Sequence, residues 1–298
     1  MGWNGFLWAG LAGLVLPLVL LVIVIVAGGP PDDCFDKSGP KPIDTCYCES
    51  ISKGPIKQPA NTLSNIGSII FGTLLLIFIA VKTPTRDNPM TGDVWFANTY
   101  GALVIFLGTG SMFLHASMTR VGGWFDNISM DLFITFILIY NITRINAWSR
   151  LVFWIIYIAL NVVLMILTYP TIIEGSGKIF FGLFIGLTAL TELQIHLPLT
   201  IPMTIPYLWT PSNPPVFKKT LQVGLVREPW FLLLGLLLFG VAFAFWIPSH
   251  TGGALCDPDS AFQWHGVWHV LGGLAASCFF FYFRSERRVG LSVDQAGW

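Results

Sequence analysis

Eight apolar stretches dominate this chain and leave few folds open to it. They run over residues 6–27, 61–81, 94–117, 124–143, 151–169, 179–197, 230–247 and 262–283. Several reach the ~18 residues that a spanning helix needs. Inside a bilayer each backbone polar group must be satisfied within its own segment, and a helix does this. Only 11% of the residues are charged, against about 25% in a soluble domain. The expected fold class is all-α: a polytopic membrane protein with a seven-helix core at 60–284 and one extra N-terminal hydrophobic helix. With a formal net charge of +0 and no basic tract, nucleic acid is not an expected partner.

The first stretch, within 1–29, reads as a retained anchor helix, with a removed signal peptide as the alternative. No Lys or Arg precedes it, and about 22 apolar residues exceed the core of a typical signal. Residues 30–59 form a polar loop. The stretch after it carries Asn65, Gly67 and Ser68, small and polar residues that suit helix–helix packing. Residues 198–228 hold six prolines and read as irregular; 285–298 is a tail.

The Lys and Arg positions orient the bundle. With 30–59 outside, Lys82, Arg86, Arg144, Arg150, Lys218, Lys219, Arg227, Arg284, Arg287 and Arg288 lie inside, ten of the 16 basic residues. Lys37, Lys41, Lys53, Lys57, Arg120 and Lys178 lie outside. The carboxyl terminus is then cytoplasmic. Cys34, Cys46, Cys48 and Cys256 share the outer side, which points to an oxidising compartment, and Cys278 falls in the last helix. Four cysteines allow three pairings, and spacing alone does not choose among them. A Cys-x-Cys zinc site is the rival reading and lacks a matching second pair.

This orientation also sorts the residues that carry chemistry. His265 and His269 stand one turn apart on one face of the last helix. Histidines at membrane depth are costly and need partners. His115, with Ser111 one turn deeper, sits near the outer end of the 94–117 helix; Asp126 and, deeper, Asp131 lie on the helix that follows. All share one membrane depth, although the charge count did not use them. Three imidazoles suit Zn²⁺, and an open fourth position makes such a site catalytic. Zinc acidifies water and polarises a carbonyl; Asp126 can accept the proton, and Ser111 can donate to a developing oxyanion. Plainer uses stand beside these. The histidine pair can bond neighbouring helices, and Ser111 can bond back to its own helix. Asp126 can cap the helix it opens, and Asp131 can pair with Arg120 or orient a histidine as an outer partner of the metal. Trp264 and Trp268 read as interface aromatics, Glu192 and His196 as a structural pair near the inner end, and His250 as solvated.

The pattern Ser111-Met-Phe-Leu-His115, then Asp126, then Trp264-His265-Gly-Val-Trp268-His269 resembles the alkaline ceramidases. These sit in a wider group of seven-helix membrane hydrolases that includes adiponectin-type receptors. Cys48-Glu49 followed by Asn61-Thr-Leu-Ser-Asn65 is similar to the amino-terminal pattern of the same family. The resemblance covers about residues 46–284. It implies a Zn²⁺ site at His115, His265 and His269, with Ser111 and Asp126 at the reactive centre. It also implies a Cys48–Cys256 disulfide and hydrolysis of ceramide to a sphingoid base and a fatty acid. The family's Ca²⁺ site is poorly kept. Glu49 fits it, but Cys46, Ile51 and Gln58 stand where oxygen ligands are expected, which leaves too few anionic oxygens.

The reading that follows is a zinc-dependent intramembrane amidase, its site on the outer side of a bilayer and its substrate ceramide or a related N-acyl lipid. An esterase or phospholipase of the same group is the first alternative. A lipid-sensing receptor with structural zinc is the second.

Overall fold

The computed structural model describes residues 11–27, 34–36, 39–41, 47–82, 88–92, 94–146, 148–169, 176–196 and 225–288. Among these, seven helices are long and apolar enough to cross a membrane. The protein is a polytopic all-α bundle. A π turn, Leu11–Val15, leads into α1 (Leu16–Ala27). A two-stranded hairpin, β1 (Cys34–Asp36) with β2 (Gly39–Lys41), follows. The bundle proper is α2 (Pro59–Ser64) and α3 (Ile66–Val81), the short α4 (Pro89–Gly92), α5 (Val94–Ser117), α6 (Arg120–Asn146), α7 (Arg150–Leu167), α8 (Ser176–His196), α9 (Pro229–Trp246) and α10 (Trp264–Arg284). Between α8 and α9 lies β3 (Leu225–Val226), which pairs antiparallel with β4 (Arg287–Arg288) beyond α10.

The described part of the N-terminal stretch is a helix, as expected, but an accessory one. The π turn and α1 lie against α3 and α5, with Val24 buried and Leu14, Leu18, Val22 and Val26 exposed. Residues 6–10, most of the proline-rich 198–228 loop and the tail from 289 onward lie outside the described residues.

Local chemistry sets several helix starts. Pro59 and Pro229 occupy first turns, where a missing N–H costs nothing and the fixed φ is already helical. Ser149 caps α7 by accepting the Val152 N–H. The start of α6 departs from expectation. Met118 adopts a left-handed φ of 50°, which turns the chain sharply, and the Thr119 hydroxyl accepts the Gly122 N–H at 3.1 Å. The helix therefore opens at Arg120, and Asp126 does not cap it.

Two glycines let the site-bearing helices close up. A Cβ on Gly110 would meet the Phe125 carbonyl at 2.8 Å, and one on Gly266 would meet Cβ of Ser64 at 2.9 Å. Glycine thus places α5 against α6 beside Ser111, and α10 against α2 beside His265. The other half of the bundle is filled by aromatics. Phe96, Tyr100, Phe136, Tyr140, Phe153 and Phe280 are buried there in mutual contact, mostly edge to face, the preferred ring geometry. The Tyr100 hydroxyl donates to the Ala276 carbonyl at 2.8 Å, which satisfies a polar tip inside an apolar core.

Candidate metal centre

His115 comes from the last turn of α5; His265 and His269 come from the first turns of α10. The three rings meet. Their centroids lie 5.0 Å (115–265), 5.0 Å (115–269) and 4.7 Å (265–269) apart. One ligand nitrogen from each lies within 4.8 Å of the others, and all three residues are buried. No carboxylate or thiolate joins this group among the described residues, so the donor set is all imidazole.

The surroundings of two rings decide which nitrogen faces the centre. Gln58 Oε1 lies 2.7 Å from His115 Nδ1, while Gln58 Nε2 donates to the Glu49 carbonyl at 2.8 Å. The amide nitrogen is thereby committed to Glu49, so the His115 Nδ1–H donates to the amide oxygen and Nε2 carries the lone pair. At His269, Nδ1 lies 2.7 Å from Ser64 Oγ. The single hydroxyl proton of Ser64 goes to the Asn61 carbonyl, also 2.7 Å away, so His269 Nδ1–H is again the donor. Its Nε2 faces Ser111 Oγ at 3.2 Å. Both imidazoles are held from behind, as metal-binding histidines usually are.

Ser111 is buried beside the histidines. Asp126 lies in the second turn of α6, and its charge reaches Tyr47: burial first, and then Asp126, push the Tyr47 hydroxyl above its ordinary range. Tyr47 covers the centre, edge-on to His115 at 4.9 Å and to His265 at 5.1 Å. Asp131 takes neither expected role. It is buried, and neither carboxylate oxygen has a hydrogen-bond partner among the described residues. Five residues of α-helix turn it about 140° from Asp126, which removes it from the histidine side.

Glu49 also differs from the family expectation. Its Oε1 accepts the Ala60 N–H and its Oε2 the Asn61 N–H, both at 2.7 Å. It caps α2 and offsets the positive end of the helix. Burial still pushes its carboxyl up, although both N–H groups pull it down. With Glu49 turned to the backbone and Gln58 to His115, the described residues do not make a Ca²⁺ site, which needs six or more oxygens. They do fit zinc, because buried neutral imidazoles with oriented tautomers are its usual ligands.

Cys48 and Cys256 form a disulfide across 208 residues of sequence. Together with Ser50 N–H on the Pro258 carbonyl at 2.9 Å, it ties the Tyr47–Glu49 strap to the loop after α9. Cys278 is free and buried; Cys34 is described by its backbone alone, and Cys46 lies outside the described residues. His250 is not solvated as expected. It stacks on Tyr47 at 6.3 Å, meets Trp246 edge-on at 4.5 Å and lies 6.3 Å from His265, part of the same roof. Trp264 stacks on Phe245, and Trp268 packs on Phe239 and Phe243. Both join α10 to α9.

No protein-family profile matches the chain. It is, however, similar to the alkaline ceramidase of Drosophila melanogaster. The two are 20% identical over 259 residues, covering 84% of this chain and 80% of that protein. The likeness therefore spans most of the chain.

A second polar cluster occupies the opposite end. The Arg227 guanidinium donates to Glu286 Oε2 at 2.8 Å and to Glu192 Oε1 at 2.9 Å. Arg144 Nε donates to Glu286 Oε1 at 2.7 Å. Tyr282 donates to Glu192 at 2.7 Å and meets His196 Nε2, and Asn141 bonds Glu192 at 2.7 Å. Burial raises the Glu286 carboxyl, but the Arg144 and Arg227 charges outweigh it and hold the group below the usual carboxylate range. The expected Glu192–His196 pair is here, enlarged into a network.

Proposed function

We propose that this protein is a zinc-dependent intramembrane hydrolase that cleaves the amide of ceramide, or of a related N-acyl lipid, to a sphingoid base and a fatty acid. One observation carries the reading. Three buried imidazoles converge, two of them held at Nδ1 from behind, with Ser111 beside the Nε2 of His269. The distant likeness to an alkaline ceramidase supplies the substrate class.

In this reading His115, His265 and His269 hold the ion. Bound there, zinc supplies Lewis acidity, which brings water near neutral acidity and polarises a carbonyl. Asp126 accepts the proton of the attacking water and returns it to the departing amine nitrogen. Ser111 donates its hydroxyl proton to the oxygen that gains negative charge. Tyr47 and His250 roof the centre and limit access of bulk water, so the scissile amide enters from the lipid. In this reading the site lies on the outer side, periplasmic, extracellular or lumenal, and the carboxyl terminus is cytoplasmic, an orientation that the positive-inside count supports.

The test is incubation of purified protein with ceramide and, separately, with a phospholipid, each with and without a zinc chelator, followed by measurement of fatty acid released. Release from ceramide that the chelator abolishes is expected. Release from the phospholipid alone would favour an esterase or phospholipase, and release from neither would sink the enzyme reading.

A further inference from the structure

We infer that Gln58 is a positioning residue of the metal centre: it holds His115 in the Nδ1–H tautomer so that Nε2 is presented to the ion. This rests on the zinc reading above. Gln58 lies outside the ligand set, in the stretch just before α2, yet it is completely buried. Its backbone is fixed to the helix that bears His115. The Gln58 N–H donates to the His115 carbonyl at 3.0 Å, and the preceding Lys57 N–H donates to Ala116 O at 3.0 Å. The Gln58 carbonyl accepts the Thr62 N–H at 2.9 Å and the Thr62 hydroxyl at 2.6 Å. One residue thus docks the start of α2 on the end of α5.

Its side chain is fixed as firmly, and its direction is determined. Nε2 donates to the Glu49 carbonyl, and Glu49 is itself held by two backbone N–H groups and by the neighbouring Cys48–Cys256 disulfide. A flipped amide would set Oε1 against the Glu49 oxygen, acceptor on acceptor, and Nε2 against His115. Oε1 also accepts from Asn61 Nδ2 at 3.4 Å, which the flip would lose. A buried polar group left unpaired is costly, so one orientation persists, and it requires a proton on His115 Nδ1.

The experiment measures zinc affinity by chelator competition on full-length protein in detergent, for wild type, Gln58→Leu and Gln58→Glu. Loss of such an outer partner weakens metal affinity by about 10–100-fold, and that is the expectation for Gln58→Leu. Gln58→Glu keeps an acceptor toward His115, and its protonated oxygen can still donate to Glu49, so affinity should stay near wild type. Wild-type affinity in Gln58→Leu would overturn the role. So would a Gln58→Glu variant as weak as Gln58→Leu, because the acceptor facing His115 would then not be what carries the affinity. Should Gln58→Leu fail to fold, ¹⁵N spectra of the histidine rings in wild type answer the same question. Proton on Nδ1 and metal on Nε2 of His115 is the expected result, and the reverse tautomer overturns it. A wild type that binds no zinc refutes the metal reading and this inference together. A zinc-binding wild type with an indifferent Gln58→Leu refutes only the role of Gln58.

Discussion

The bundle buries polar side chains at both ends, and the two clusters are built on opposite principles. They share helices. Asp126 and Arg144 lie about 27 Å apart along α6, and α10 carries His265 and His269 at one end and runs into Glu286 at the other. At the Arg227 end every charge meets its opposite. Two guanidiniums face two carboxylates, Tyr282 and Asn141 also donate to Glu192, and His196 meets the Tyr282 hydroxyl. At the histidine end like groups face each other. The Nδ1 atoms of His115 and His269 are satisfied from behind, while Nε2 lone pairs turn inward toward a third imidazole. Converging buried acceptors are unfavourable unless something electropositive binds among them. The first cluster is paired internally; the second is a group that could hold a metal ion.

That contrast can be broken by substitution, and the expected effects fall in order. His269→Ala should abolish both zinc binding and activity, read by metal content and fatty acid release; stoichiometric zinc in this variant would show the ligand set to be wrong. Asp126→Asn should keep its zinc and lose turnover by roughly 10²–10⁴-fold, the range for a positioned general base. Unchanged turnover would pass the base role elsewhere. Ser111→Ala should also keep zinc and lose about 10²–10³-fold in kcat, as for one oxyanion donor. At the other end Arg227→Leu strips Glu286 and Glu192 of their shared partner. It should cost about 3–5 kcal/mol of stability, measured by denaturation, while activity per folded molecule stays intact. An activity loss there beyond the folded fraction would erase the distinction between the two ends.

The same cluster predicts a pH dependence. Glu286 is held below its usual value near 4.5 in the folded protein. It therefore stabilises above that pH, and the contribution is lost as pH falls through the folded value. Thermal melts from pH 7 downward should show the wild type losing stability below about pH 4.5, and Arg227→Leu losing less over that range. The smallest effect expected is that of calcium. Because Glu49 caps α2 and Gln58 serves His115, calcium added or chelated should leave activity unchanged.

The helices and the three histidines were legible in the sequence because each signal is local. Apolar length gives a span, and the i, i+4 spacing of His265 and His269 gives a face. The 94–117 stretch agrees with α5 residue for residue. The supports of the site were not legible. Tyr47, Gln58 and His250 stand outside the long helices, and they reach the centre through a disulfide spanning 208 residues and a few backbone bonds. Ser64 lay within the quoted Asn61–Asn65 motif, but nothing local shows that a serine there backs His269. Arg144 and Arg227 counted in the sequence as basic residues at inner helix ends; folding instead buries both against Glu286. Asp126 was open to a capping role because neither the left-handed Met118 nor the Thr119 cap that starts α6 early leaves a periodic mark.

Zinc content and fatty acid release from ceramide, followed together on one preparation through stepwise chelation and zinc return, test the central claim most directly. Hydrolysis that falls in proportion to zinc, vanishes with it and returns on re-addition is the predicted result. Full amide hydrolysis by zinc-free protein, or one bound zinc per chain without any hydrolysis, would contradict it.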